Sequence, residues 1–195
     1  KRVIMESKRM QRNRIKRLYA GLEKPYIQLA SSEIAKAIFD MRWYQDAKTI
    51  FCYMNMGNEV ITEDIIERAI KDGKRVAIPR CLGGGIMESR LYLTPKNRYE
   101  LVEGVLGIRE PDEDNPLVLP ETIDLVIAPC LTCDRNGNRL GHGAGYYDRY
   151  LSPQNGLRAP KVCLCFSKIL AENVCTDIND IKMDAVVTEE RIYYG

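Results

Sequence analysis

A chain of 195 residues, 45% apolar and 29% charged, has the composition of a globular protein and not of a disordered one. Its length suits one buried core, so a single domain over residues 1–195 is expected. No apolar run approaches the ~18 residues that span a bilayer, and no signal-peptide core opens the chain, so a cytoplasmic protein without a membrane partner is expected. The net charge is only +2 but is unevenly spread. Residues 1–17 hold eight Lys or Arg against one Glu, a local excess of +7 that leaves −5 for the remainder. Such an arm suits nucleic acid, an acidic surface or an anionic ligand. Within it, Ile15, Leu18, Tyr19 and Leu22 follow helical spacing and form a docking stripe. Lys8, Arg12 and Lys16 share another face of the same helix.

After this arm the chain alternates strands and helices. Pro25 suits the first turn of a helix running to about Met41. "TIFCYM" (49–54) reads as a buried strand. Thr62 can cap the next helix, with Glu63 and Asp64 in its first turn and an end near Gly73. "RVAIP" (75–79), "LVIAP" (125–129), "KVCLCF" (161–166) and "DAVVT" (184–188) read as further strands. Residues 80–122 are expected to form a short hairpin plus loops. Apolar runs separated by helices predict an α/β fold: a mostly parallel, open, Rossmann-like sheet covered on both faces.

Seven cysteines are present, including "CLTC" at 130–133. A zinc site would want a second CxxC or a histidine pair, and the chain has one histidine, His142. A thioredoxin-like motif would open a helix, whereas this one leads into the turn "DRNGNR". Reduced, structural thiols are the favoured reading.

"RLGHGAGYYDRYL" (139–151) carries the chemistry. Its GxGxG matches neither the P-loop nor the dinucleotide fingerprint, and alone it indicates only a turn. A helix starting near Gly145 would aim free N–H groups at the loop, where an anion could sit. Asp148 in its first turn could then hold Mg²⁺ against phosphate, or simply complement the helix dipole.

"RNGNRLGHGAGYYDRYL" (135–151) resembles the signature of the 5-formyltetrahydrofolate cyclo-ligases, also called 5,10-methenyltetrahydrofolate synthetases. "KRMQR" (8–12), "MGNEVITEDII" (56–66), "VAIPR" (76–80), "GIREP" (107–111) and "NDIKMDAVVTEE" (179–190) are similar to family segments in the same order. The resemblance implies that MgATP and 5-formyltetrahydrofolate give 5,10-methenyltetrahydrofolate, ADP and phosphate. The formyl oxygen is phosphorylated, N10 attacks the activated carbon, and phosphate leaves. Positioning and charge stabilisation are then the protein's main tasks, and no protein nucleophile is required.

The resemblance also assigns residues. Lys8 and Arg12 should reach ATP phosphates. Arg139, Leu140, Gly141, His142, Gly143, Ala144, Gly145, Tyr146 and Tyr147 should wrap the triphosphate. Arg139, Tyr146 and Asp148 are the expected catalytic groups, and Asp148 and Asp180 the expected Mg²⁺ ligands. Met54 and Glu59 should meet the folate, Glu59 through the pterin, with His142, Gly143, Ala144, Gly145 and Tyr146 bordering both ligands. His142, flanked by glycines, is expected to sit free beside phosphate. A monomer or weak homodimer without nucleic acid is expected. A paralogue using the same loop on another substrate, and an RNA-associated protein using the basic arm, stand as alternatives.

Overall fold

The computed structural model describes residues 6–104 and 107–195. The first five residues of the basic arm lie outside them. The elements run α1 (Lys8–Ala20), α2 (Lys24–Asp40), α3 (Arg42–Asp46), β1 (Thr49–Cys52), α4 (Glu63–Lys71), β2 (Arg75–Gly83) and β3 (Ile86–Leu93). They continue as β4 (Leu101–Glu103), β5 (Arg109–Pro111), β6 (Leu117–Val118), β7 (Leu125–Ala128), β8 (Thr132–Cys133) and β9 (Arg139–Leu140). The chain ends with α5 (Tyr146–Tyr150), β10 (Lys161–Leu164), β11 (Ala185–Val187) and β12 (Ile192–Tyr194).

One eight-stranded sheet, ordered β12-β11-β10-β7-β1-β2-β3-β6, organises the molecule. Strands β11, β10, β7, β1 and β2 pair in parallel. The pairs β11–β12, β2–β3 and β3–β6 are antiparallel. Every residue of β1 and β7 is buried, so both faces of the sheet centre are covered, as their uninterrupted apolar sequence requires. From β1 the chain steps outward to β2, then returns to place β7 on β1's other side. The loops that leave β1 and β7 therefore diverge at their carboxyl ends, the crevice where open α/β sheets take ligands. The open, mostly parallel sheet expected from the sequence is present.

Two local departures have clear causes. Beyond Pro79, β2 continues to Gly83 and turns directly into the eight-residue β3, so the short hairpin expected after residue 80 is a long extension of the main sheet. Met87, Ser89, Leu91 and Leu93 alternate inward on β3. Ser89 masks that period in the sequence; its hydroxyl lies 2.6 Å from the Tyr150 hydroxyl and donates to Val118 O at 2.7 Å. Thr62 stands at the start of α4 without capping it through its side chain. Its hydroxyl donates instead to Tyr53 O at 2.8 Å, tying the loop after β1 to the helix.

Helix α1 docks differently from its apolar stripe. Ile15 is buried, but Leu18 is exposed. The second buried position is Gln11, whose amide donates to Asn173 O at 2.7 Å and accepts from Cys175 N at 3.0 Å. A glutamine that satisfies two buried backbone groups anchors the helix as firmly as a leucine would, and it also fixes the rotation. That rotation turns Lys8 and Arg12 toward the sheet's carboxyl end and leaves Lys16 exposed.

Candidate active site

A cleft of about 1140 Å³ opens at the carboxyl ends of β1, β2 and β7. That is at the upper end of the roughly 300–1,000 Å³ typical of small-ligand sites. Its walls come from α1, the loop after β1, the β2–β3 hairpin, the glycine loop with α5, and residues 177–181.

The glycine loop owes its shape to the hairpin of β8 and β9 beneath it. Thr132 pairs with Leu140 and Cys133 with Arg139, so the loop leaves the hairpin at Gly141. Gly143 (φ +114°) and Gly145 (φ +73°) hold backbone conformations that side chains disfavour. Close approach is the second constraint. A Cβ on Gly141, Gly143 or Gly145 would stand 3.1 Å from Arg139, 3.4 Å from Arg12 or 3.0 Å from Arg149 respectively. Each glycine thus lets one guanidinium close on the loop. Gly143→Val should strain the backbone by roughly 1–3 kcal/mol and push Arg12 outward. We expect affinity for a polyphosphate ligand to fall about tenfold in direct titration, with the circular dichroism spectrum unchanged.

The loop's carbonyls are engaged inward. Gly141 O accepts from Arg12 Nε at 2.9 Å, Ala144 O accepts from Arg149 Nη2, and Gly145 O accepts from Arg149 N at 3.2 Å. Its N–H groups are not engaged: from Gly141 to Tyr147 none donates to a backbone group among the described residues. A run of free donors at the mouth of a basic cleft is an anion cradle. Helix α5 is only five residues long, so the cradle is chiefly the loop's own backbone and not a helix dipole.

Beneath the loop lies Arg139, its side chain only 3% exposed. Nη2 donates to Asp148 Oδ1 at 2.8 Å and Nη1 to Pro129 O at 3.3 Å, while the guanidinium sits 5.5 Å from the Tyr147 ring centroid. Its Nε, like the Tyr147 hydroxyl, is buried with no partner. Such orphaned polar atoms are uncommon in native proteins and here border a ligand site. Leu140, expected in the triphosphate wrap, has its side chain buried against Ala171 and Val174, so only its backbone faces the cleft.

Three acidic positions lie in one corner. Asp148 Oδ1 also accepts from Ile181 N at 3.3 Å, which brings Asp180's segment against it. Asp180 pairs with Lys8 Nζ at 2.5 Å, and Asp177, which the sequence reading missed, pairs with the same nitrogen at 2.6 Å. Burial opposes the Lys8 charge, but the Asp177 and Asp180 carboxylates outweigh it and raise the Lys8 pKa. Lys8 holds the Asp177 carboxyl below its ordinary range. Hard oxygen donors in a cationic cleft suit Mg²⁺, and Asp148 Oδ2 carries no hydrogen bond among the described residues.

Across the cleft, Met54 and the buried Glu59 descend from the loop after β1. Glu59 Oε2 accepts from Met56 N at 2.9 Å, and Oε1 lies 3.0 Å from His142 Nε2. His142 is therefore not isolated beside phosphate as its glycine neighbours suggest: its ring bridges the glycine loop to Glu59. Tyr146 also lines the cleft. Arg149, which grips Gly85 O at 2.8 Å as well as the loop, and Cys81 on the β2–β3 hairpin also line the site without a local sequence signal. Burial, with the Glu110 carboxylate beside it, pushes the Cys81 thiol up to about 12, which leaves it inert as a nucleophile.

An open α/β sheet with free loop donors and acidic side chains gathered at its switch point places the chain among the doubly wound α/β proteins that bind ligands at that crevice. The model of the 5-formyltetrahydrofolate cyclo-ligase family matches residues 4–189, and the chain belongs to that family. Its members are ATP-dependent ligases of one-carbon metabolism that convert 5-formyltetrahydrofolate to 5,10-methenyltetrahydrofolate. A probable 5-formyltetrahydrofolate cyclo-ligase of Schizosaccharomyces pombe is 34% identical, covering 85% of this chain and 87% of its own. The Saccharomyces cerevisiae cyclo-ligase is 28% identical over 94% of this chain and 95% of its own. The 5,10-methenyltetrahydrofolate synthetase structure from Aquifex aeolicus superimposes with a TM-score of 0.80 at 26% identity, covering 96% of this chain and 92% of its own.

Proposed function

We propose that the two walls of the cleft divide the reactants: the glycine loop and α1 take MgATP, and the Met54–Glu59 wall takes 5-formyltetrahydrofolate. The observation that carries this reading is the run of free N–H groups at residues 141–147, ringed by Arg12, Arg139 and Arg149. MgATP supplies the phosphoryl group that turns the formyl oxygen into a leaving group. The loop N–H groups and Arg12 hold the triphosphate, Lys8 joins them once it leaves its acids, and Asp148 and Asp180 hold the metal. Arg139, beneath the loop, fixes Asp148. Glu59 receives the pterin's amino and ring N–H donors, Met54 packs on its face, and Tyr146 keeps the junction closed to water. Held side by side, the activated carbon and N10 of one molecule need only orientation to close the ring.

The test follows methenyl absorbance with ATP, Mg²⁺ and 5-formyltetrahydrofolate, counting one ADP per ring closed. ATP turnover without folate conversion would favour a paralogue with another substrate. Glu59→Gln should raise the Michaelis constant for the folate about tenfold and leave that for ATP nearly unchanged; equal effects on both would remove Glu59 from the folate wall.

With the cleft lined by residues of a single chain, a monomer or weak homodimer suffices for this reading, and we place it in the cytoplasm. No helix among the described residues is long and apolar enough to cross a membrane. Of the six basic side chains on α1, Lys8 and Arg12 line the cleft, and on this reading they serve the triphosphate.

A further inference from the structure

The CxxC of residues 130–133 is completed by a third thiol from far along the chain. The Sγ atoms of Cys130, Cys133 and Cys165 all lie within 4.8 Å of one another, and all three residues are buried. They come from three segments: the end of β7, β8, and the residue after β10. Cys163, two residues before Cys165 and so on the same face of the chain, is buried beside them, outside the 4.8 Å group. All seven cysteines are free. The cluster's other sulfur contacts are weak: Cys130 donates to Leu164 O at 3.2 Å and Cys165 to Phe166 O at 3.5 Å.

We propose that Cys130, Cys133 and Cys165, with Cys163 as fourth ligand, form a closed structural site for Zn²⁺. Zinc–sulfur bonds of about 2.3 Å set tetrahedral sulfurs about 3.8 Å apart. Contraction by less than about 1 Å therefore brings Cys130, Cys133 and Cys165 to bonding geometry, and Cys163 completes the set by turning its side chain toward them. Each thiol gives its proton to solvent as the metal binds, so loading is favoured as pH rises. No ligand position is left for water or substrate, which makes the metal structural and not catalytic. Its place explains its use. Cys133 pairs with Arg139 across the hairpin, and Cys130 follows Pro129, whose carbonyl accepts from Arg139. The metal would pin β7 to β10 directly under the anion cradle.

The test is metal content and stability of the full chain, kept reduced with a phosphine. Protein unfolded with chelator is refolded with and without Zn²⁺, then dialysed and analysed by mass spectrometry. One zinc per chain is expected, with a melting midpoint several degrees above that of the metal-free form. Refolding with Co²⁺ should give thiolate-to-cobalt charge-transfer absorption. Cys133→Ser and Cys165→Ser should each lose the metal and the midpoint shift, whereas Cys175→Ser should keep both. A zinc-free wild type after refolding with Zn²⁺, or no thiolate–cobalt band, overturns the proposal even if the cluster variants fail to fold. Full loading of Cys165→Ser also overturns it.

Discussion

Asp148→Asn is expected to lower kcat by at least an order of magnitude while the far-ultraviolet spectrum keeps its native shape. The amide preserves the volume and can still accept from Ile181 N, so the corner between α5 and residues 177–181 stays in place. What it loses is charge. Arg139, almost wholly buried, then faces a neutral partner at 2.8 Å instead of a carboxylate, and on the proposed reading Mg²⁺ would lose one of two hard ligands. Because metal affinity and not chemistry is the first casualty, raising Mg²⁺ should recover part of the rate. Stopped assays across a Mg²⁺ series measure this directly. Wild-type turnover at ordinary Mg²⁺ would reduce Asp148 to the counter-ion of Arg139.

Arg12→Ala should raise the Michaelis constant for ATP by one to two decades and disturb that for the folate much less. A lost charge-assisted contact costs roughly 1.5–3 kcal/mol. Arg12 also holds Gly141 O through Nε and closes over Gly143, so its loss loosens the cradle as well as removing a cation. Lysine at this position would restore charge without the planar fork, and only partial recovery is expected. A change confined to RNA affinity, with ATP kinetics intact, would reassign α1 to nucleic acid.

The strands that form the parallel centre were legible because burial on both faces leaves an uninterrupted apolar run: β1, β7, β10 and β11 all fall inside such runs. β3 was not, because its inward Ser89 and outward Glu88 and Arg90 hide an alternation that only Tyr150 and Val118 make sense of. Helical spacing located α1 but chose Leu18 over Gln11, since periodicity scores apolarity and not the hydrogen bonds a buried amide finds. The glycine loop announced itself as a motif, whereas its partners did not. Lys8 meets Asp180 across 172 positions of sequence, and His142 meets Glu59 across 83. The roles given to Glu59, Met54 and Asp180 rested on family likeness, since no local pattern distinguishes them from a turn acid, a core residue or a loop acid. Cys165 joins the CxxC only because β7 and β10 pair, a fact of topology.

Three cations of the cleft hold partners within the chain: Lys8 in Asp177 and Asp180, Arg139 in Asp148 through Nη2, and Arg12 in a loop carbonyl through Nε. A triphosphate entering the cleft therefore exchanges partners and does not meet bare charge. Where Lys8 turns to phosphate it releases carboxylates, and these would face the triphosphate as like charges unless a divalent cation arrived with it. On the proposed reading, the protein would thus discriminate against metal-free nucleotide before any chemistry begins. Ionic strength acts on the pairs broken as well as on those made, so ATP affinity should decline with added salt less steeply than three exposed cations would dictate.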